Sequence, residues 1–273
     1  MQNESNQQNK SPVSLIRSPA KTTMLREIIK DSDEHTLVIW DVDGVLFIGK
    51  DRIFHSENIY SGLNQKYVEY IQNKYNLTPG QTDNFLSQLL LKRQIQLVDP
   101  SLPNIMHDLK TRHIKTIALT QFSTGPLGDI ESIADWRIDE LNKLGIKFDF
   151  AFVDLIQVEL DKLTKIKGYH PLYKHGILFT EHHSKGDVLG AFLDLIQWQP
   201  NKVIFIDDKL EYLEMVQAEL KQRNIDFVGL HYTAALDLPY AVDDILVKLQ
   251  YEYAMQNSIW LNDQAALEKL RDD

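Results

Sequence analysis

Residues 37–46 read LVIWDVDGVL, in which an apolar run leads into two aspartates, two positions apart, and then a glycine. The run predicts a buried strand, so we expect Asp41 and Asp43 where the strand gives way to a loop. In α/β folds, ligands and catalytic groups collect at the carboxyl ends of the strands. Aspartate also closes turns and caps helices, so the motif taken alone is compatible with a structural role as well.

A second apolar run, VIFIDD at 203–208, ends in another pair of aspartates. Four carboxylates brought together would repel one another unless a cation or protons compensated their charge. Oxygen-rich clusters suit hard divalent ions such as Mg²⁺. The two motifs together therefore predict a magnesium site formed by Asp41, Asp43, Asp207 and Asp208.

Apolar runs alternate with segments of helical periodicity along most of the chain. We expect strands at 36–41, 115–120, 148–153, 176–180, 202–207 and 226–231, and helices at 56–75, 80–96, 101–112, 129–144, 185–197 and 209–223. Strands that alternate with helices favour an α/β fold with a three-layer, Rossmann-like parallel sheet covered on both faces.

Three segments stand apart from this alternation. Residues 1–22 are rich in Asn, Gln, Ser and Lys and lack an apolar core of signal-peptide length, which predicts a flexible tail and favours a cytoplasmic location. Residues 47–100 predict a small helical cap inserted into a core made of 23–46 and 101–273. Within that core, residues 154–178 predict a hairpin or small flap.

The composition is that of an acidic folded protein. The chain has 273 residues, of which 43% are hydrophobic, and 39 acidic against 29 basic residues give a net charge of −10. This charge disfavours nucleic acid as a partner. The absence of cysteine excludes disulfides and thiolate chemistry. Because no stretch approaches the roughly 20 apolar residues of a membrane span, we expect no transmembrane segment.

The order of the motifs resembles that of the haloacid dehalogenase superfamily of phosphohydrolases. Residues 41–46, DVDGVL, match its first motif, and the strand IKTIALT supplies the second motif's threonine at Thr120. Lys185, at the start of a predicted helix, matches the lysine of the third motif. The acidic pair at 207–208 matches the fourth. The resemblance covers roughly residues 36–231.

The resemblance implies a Mg²⁺-dependent phosphomonoester phosphatase with an aspartyl-phosphate intermediate. Asp41 would attack phosphorus, and Asp43 would protonate the leaving alcohol and then take a proton from water. Thr120 would donate a hydrogen bond to a phosphoryl oxygen. Lys185 would neutralise charge on the phosphoryl group and on the nucleophile.

The resemblance also implies a set of metal ligands. Mg²⁺ would bind the side chain of Asp41, the backbone carbonyl of Asp43 and the side chain of Asp208. Asp207 would reach the ion through water or position Lys185. The reverse order of the two acids in the fourth motif stays open.

Other functions are compatible with the same residues. The segments GILFT and EHHSKG resemble a little-characterised bacterial branch of the superfamily that includes proteins of intracellular pathogens. That likeness implies an alternative: a protein phosphatase delivered to host cells without a cleavable signal peptide, with phosphotyrosine favoured. A phosphomutase and a non-catalytic binding protein are further alternatives. The expected partner is thus a phosphorylated small molecule or a phosphoprotein.

Several polar and aromatic residues are weaker candidates. For His182 and His183, no partner at a metal-ligand spacing is evident. For five others, a solvated helix face or a packed aromatic is the favoured interpretation, although they could line a substrate pocket: Tyr60, Lys92, Arg93, Trp136 and Arg137.

Overall fold

The computed structural model describes residues 12–19 and 21–272, which form strands and helices in alternation. The strands are β1 (Ser14–Arg17), β2 (Thr36–Trp40), β3 (Phe47–Gly49), β4 (Ile95–Leu97), β5 (Lys115–Thr120), β6 (Gln157–Glu159), β7 (Leu172–Lys174), β8 (Ile177–Phe179), β9 (Lys202–Asp207) and β10 (Asp226–His231). The α-helices are α1 (Thr22–Ile29), α2 (Ser56–Tyr60), α3 (Leu63–Tyr75), α4 (Pro79–Lys92), α5 (Leu102–Thr111), α6 (Ile133–Lys143), α7 (Lys185–Ile196), α8 (Leu210–Gln222), α9 (Asp244–Asn257) and α10 (Asp263–Asp272).

A central sheet organises the molecule. Within the described residues it has eight strands in the order β1-β10-β9-β2-β5-β8-β7-β6. The strands from β1 to β8 in this order are parallel, and β7 and β6 add an antiparallel edge.

Both faces of the sheet are covered. Every residue of β2 is buried. Val38 and Trp40 belong to one hydrophobic cluster, whereas Leu37 and Ile39 belong to the cluster on the opposite face. A strand buried on both faces is expected to be apolar throughout, as LVIW is. The predicted α/β, three-layer Rossmann-like fold is confirmed.

The strand predicted at residues 148–153 is wrong. Residues 149–154 form turns and bends, and β5 pairs directly with β8. Phe148 is nevertheless 2% exposed, and its carbonyl group lies so close to Gly176 that no side chain would fit there. Phe148 and Ala151 fill core space from a loop, whereas Val153 is 71% exposed. An apolar run alone does not distinguish such a loop from a strand.

Two helix predictions also need correction. The helix predicted at 56–75 is interrupted between α2 and α3, where Gly62 has a φ of 76° in the left-handed region. The helix predicted at 80–96 ends earlier, because residues 95–97 form β4. The hairpin predicted within 154–178 is present, but it extends the central sheet as β6 and β7.

The N-terminal segment supplies one edge of the sheet. β1 pairs with β10, with Ser14 opposite Phe227. The prediction of a flexible tail over 1–22 is therefore wrong for residues 14–17, while residues 1–11 lie outside the described residues. The strand obtains its conformation from pairing with β10, so its local composition gives little indication of it.

The helical insertion after β2 is closed at its base and packed against the C-terminal helices. β3 and β4 pair antiparallel, with Phe47 opposite Leu97. The insertion's helices share one hydrophobic cluster with α9, in which the Tyr67 and Tyr251 rings are 5.6 Å apart. The predicted boundary, which assigned all of 101–273 to the core, therefore separates α9 from the helices it contacts.

No helix of the described part of the chain is both long and apolar enough to span a bilayer.

The shared cluster yields a stability prediction. Ile71 is fully buried in this cluster. The substitution Ile71→Ala should lower the free energy of unfolding by about 2–5 kcal/mol, because a cavity replaces packed methyl groups. The control is Ile245→Ala on α9, whose side chain is 67% exposed, and which should change stability by less than about 0.5 kcal/mol. Urea unfolding measures both, and equal effects would contradict the packing described.

Candidate active site

The ends of three parallel strands bring the sequence motifs together. Trp40, the last residue of β2, is in register with Ala118 of β5 and Ile206 of β9. Asp41 follows β2 directly, and its backbone N–H donates to the Ile206 carbonyl at 2.8 Å. Thr120 and Asp207 are the last residues of the two flanking strands, so both lie at the same edge of the sheet as Asp41.

Lys185 connects two of the aspartates. Its Nζ atom is 2.6 Å from Asp41 Oδ1 and 2.7 Å from Asp207 Oδ2, and its side chain is fully buried. The lysine is the first residue of α7, whose N-terminus is capped by the Ser184 side chain. The other oxygen of Asp207 accepts the Lys209 backbone N–H at 2.8 Å. Asp207 therefore contacts both the Lys185 side chain and the Lys209 backbone, the geometry that a positioning role for Asp207 would require.

Asp208 completes a compact carboxylate cluster. Among the described residues, Asp41, Asp207 and Asp208 each offer an oxygen atom, and these atoms lie within 4.8 Å of one another. Asp41 Oδ2 and Asp208 Oδ1 are buried and have no hydrogen-bond partner in the described structure. Unpaired buried oxygens are costly, so they indicate a ligand.

The charges of this cluster fit a divalent cation. Three carboxylates against the single ammonium of Lys185 leave two negative charges. Asp41 and Asp208 have the free oxygens, whereas both Asp207 oxygens have partners. The residues present therefore fit a hard divalent ion held by Asp41 and Asp208.

Burial and mutual repulsion perturb the acids. Burial raises the pKa of Asp41 to about 7, opposed by the charge of Lys185. Burial, with repulsion from Asp41 and Asp207, raises the pKa of Asp208 to about 8. Burial alone would lower the pKa of Lys185, but Asp207 and Asp41 raise it above its usual value. In the absence of a cation, protons thus partly compensate the carboxylate charge.

Asp43 lies beside the carboxylate cluster in a different environment. Its Oδ2 atom is 3.1 Å from Nη2 of Arg137. Its backbone carbonyl, the atom predicted to bind the metal, accepts the Tyr60 hydroxyl at 3.0 Å. A carbonyl oxygen has two lone pairs, so this hydrogen bond leaves one available for a metal.

Arg137, a weak candidate from the sequence, belongs to a buried network of charged side chains. It is fully buried, 2.9 Å from Glu140 Oε2, with its guanidinium 4.4 Å from the centre of the Phe122 ring. Arg93 also pairs with Glu140, at 2.9 Å. The signal in the sequence was the position of Arg137 and Glu140 on the apolar stripe of α6, four and seven residues after Ile133, where unpaired charges would be unfavourable.

Thr120 lines a cavity of about 310 Å³, and Asp41 and Asp43 line the same cavity. The cavity lies between the sheet edge and the insertion. Four apolar side chains of the insertion border it: Phe54, Ile59, Leu89 and Leu90. Tyr60 and Arg93, both weak candidates from the sequence, line the cavity as well. Residues of the insertion and the aspartates therefore line the same cavity.

The remaining weak candidates contact other groups. His182 Nε2 is 3.0 Å from Ser123 Oγ, and His183 Nε2 is 2.8 Å from the Thr164 carbonyl. Lys92 donates to Gln88. Trp136 packs against the guanidinium groups of Arg93 and Arg137, at 5.2 and 5.1 Å from its ring centre.

The fold and the site define an α/β protein with a buried carboxylate–lysine centre at the carboxyl edge of a parallel sheet. Residues 20–267 match the family model described as "Protein of unknown function (DUF2608)". This chain belongs to the DUF2608 family.

Relatives occur in Rickettsia and Chlamydia species. The Rickettsia prowazekii protein named "Uncharacterized protein RP296" is 23% identical over 248 residues, 90% of this chain and 87% of the relative. A Rickettsia bellii protein is 24% identical over 202 residues, 72% of this chain and 68% of the relative. A Chlamydia trachomatis protein named "Putative outer membrane protein" is 24% identical over 251 residues, 89% of this chain and 87% of the relative. The first and third alignments are long enough to include both the sheet and the insertion.

The carboxylate cluster predicts cation-dependent stability. A divalent cation at a hundred times its dissociation constant should stabilise the protein by about 2.7 kcal/mol, measured as a rise in Tm. Asp208→Asn should abolish the rise because it removes a charged ligand, whereas Asp83→Asn, at an exposed position of α4, should retain it. Protons compete with the cation for Asp41 and Asp208, whose pKa values are about 7 and 8, so the rise should be larger at about pH 8.5 than at about pH 6. An undiminished rise in Asp208→Asn would contradict the assignment.

Gly44 gives a second prediction about cation binding by the carboxylate cluster. Its φ is +85°, and a Cβ there would overlap Asp208 Oδ2 and lie 2.9 Å from Asp208 Cγ. Gly44→Ala should therefore displace Asp208 and weaken cation binding. Gly62→Ala is a matched control, with φ +76° and no described atom within 4 Å of a Cβ. Both variants should lose roughly 1–2 kcal/mol of stability from left-handed strain, but only Gly44→Ala should lose cation binding in calorimetry. Equal cation affinities in the two variants would refute this.

Proposed function

We propose that the protein is a Mg²⁺-dependent phosphomonoester phosphatase, a hydrolase of the haloacid dehalogenase type. The single observation that carries this proposal is the buried contact of Lys185 with Asp41 and Asp207, beside the free oxygens of Asp208. The four motifs that the resemblance requires thus meet at one edge of the sheet. Phosphoryl transfer needs an attacking oxygen and concentrated positive charge, and the same residues supply both.

Asp41 is the proposed nucleophile. A carboxylate oxygen forms a bond to phosphorus, the bond from phosphorus to the ester oxygen breaks, and the leaving alcohol takes a proton from Asp43. Water then attacks the aspartyl phosphate and gives a proton to Asp43. Inorganic phosphate leaves, and both carboxyl groups return to their starting states. Asp43 can reach the leaving oxygen because its side chain lines the same cavity as Asp41.

Lys185 and Thr120 bind the phosphoryl group in this proposal. The ammonium group of Lys185 offsets charge on Asp41 as the anionic phosphoryl group approaches. The hydroxyl of Thr120, at the cavity wall, donates to a phosphoryl oxygen. Mg²⁺, held by Asp41, Asp208 and the Asp43 carbonyl, would supply further positive charge for the phosphoryl oxygens.

The covered cavity favours a small ester over a phosphorylated protein side chain. The insertion lies over the aspartates, and the cavity volume of about 310 Å³ is near the lower end of small-ligand sites. A folded phosphoprotein would need an open groove at this position.

The test is hydrolysis of a broad panel of phosphomonoesters with and without Mg²⁺. The wild type should turn over an aryl phosphate only with Mg²⁺. Asp41→Asn, which keeps the side-chain shape, should reduce turnover to background because its amide is a poor nucleophile, and Asp83→Asn should leave turnover unchanged.

Acid-quenched wild type should also carry phosphate from a ³²P-labelled ester, and Asp41→Asn should not. If the wild type binds Mg²⁺ but hydrolyses nothing in the panel, a non-catalytic binding protein becomes the better proposal.

A further inference from the structure

The cavity beyond the aspartates is mainly apolar. The insertion contributes Phe54, Ile59, Leu89 and Leu90, and the core contributes Phe122. Each of these side chains lacks a hydrogen-bonding group. A ligand portion in contact with them loses its hydration without gaining hydrogen bonds from that wall.

Several polar side chains that line the same cavity already have hydrogen-bond partners. The amide nitrogen of Asn64 donates to the Tyr251 hydroxyl at 2.9 Å. The amide oxygen of Gln121 accepts from Thr180 Oγ1 at 3.0 Å. These contacts reduce the number of hydrogen bonds that the cavity lining can offer to the hydroxyl groups of a sugar or polyol.

Two further long polar side chains of the cavity lining are also paired. The guanidinium of Arg93 pairs with the carboxylate of Glu140, with two nitrogen–oxygen distances of 2.9 and 3.0 Å. The hydroxyl of Tyr60 donates to the Asp43 carbonyl. These polar groups of Arg93 and Tyr60 thus already have partners.

Building on the proposed function, we infer that the substrate is a phosphate monoester with an apolar leaving group about the size of one ring. The phosphate lies at Asp41, Thr120 and Lys185, and the leaving group occupies the apolar part of the cavity. The volume of about 310 Å³ is near the lower end of small-ligand sites, which favours a compact leaving group over a long acyl chain. The inference excludes sugar phosphates and glycerol phosphates as preferred substrates.

Two neighbouring leucines of α4 provide a matched test. Leu90 lines the cavity, whereas Leu91 is 49% exposed and points elsewhere. Replacement by asparagine changes the polarity of each side chain at similar size. A polar group at position 90 opposes an apolar leaving group, while the same group at position 91 contacts solvent.

The first measurement is binding, which needs no turnover. Calorimetry on the full-length, Mg²⁺-loaded protein compares benzylphosphonate, ethylphosphonate and 2,3-dihydroxypropylphosphonate. We expect benzylphosphonate to bind at least about tenfold more tightly than the other two. Leu90→Asn should reduce that ratio about tenfold, and Leu91→Asn should leave it unchanged. Equal affinities, no binding of any phosphonate, or equal effects of the two variants would overturn the inference.

The second measurement is hydrolysis of benzyl phosphate and ethyl phosphate. Both esters release alkanols, so a difference in kcat/KM reports the cavity and not leaving-group acidity. Higher kcat/KM for benzyl phosphate supports the inference, and equal values overturn it while the proposed function stands. If neither ester is hydrolysed but benzylphosphonate binds selectively, the phosphatase proposal fails and the apolar binding site remains.

Discussion

The buried ammonium group of Lys185 between Asp41 and Asp207 is the contact on which the arrangement of the site depends. Three charged groups without water are stable only when each has a partner, and removal of the lysine would leave two buried carboxylates facing each other. The contact also joins β2, β9 and α7. The residue after the lysine, Gly186, allows α7 to pack closely against α8, since a Cβ there would lie 2.5 Å from the Met215 carbonyl. The ion pairs of Lys185 thus hold the carboxylate cluster together and also link two strands to a helix.

The sequence predicts this convergence because parallel strands place their carboxyl ends at one edge. Two apolar runs that end in aspartates were enough to bring Asp41 and Asp208 together, and the order of motifs identified Lys185. The charge network of Arg137 was missed because a single arginine on a helix is usually solvated. The position of Arg137 points to the site only once the structure shows that the apolar face of α6 is turned towards it.

Domain boundaries were harder to predict for a different reason. The insertion has regular helical periodicity, so its existence is visible, but its main packing partner is α9, almost two hundred positions later. The contact of Tyr67 with Tyr251 illustrates this separation. The sequence pattern of α9 predicts an amphipathic helix but does not indicate which part of the protein its apolar face packs against. The apolar segment at 148–153 shows a different limit, since Phe148 and Ala151 are buried as a strand's residues would be, but the segment is a loop and Val153 is exposed.

The short β1 strand has a practical consequence for handling the protein. It pairs along β10, whose backbone would otherwise face solvent. An uncovered strand edge is a template for pairing with another molecule. A shortened recombinant protein that starts at α1, with the preceding residues trimmed as dispensable, would present that bare edge and be prone to self-association. Expression designs should therefore keep Ser14–Arg17.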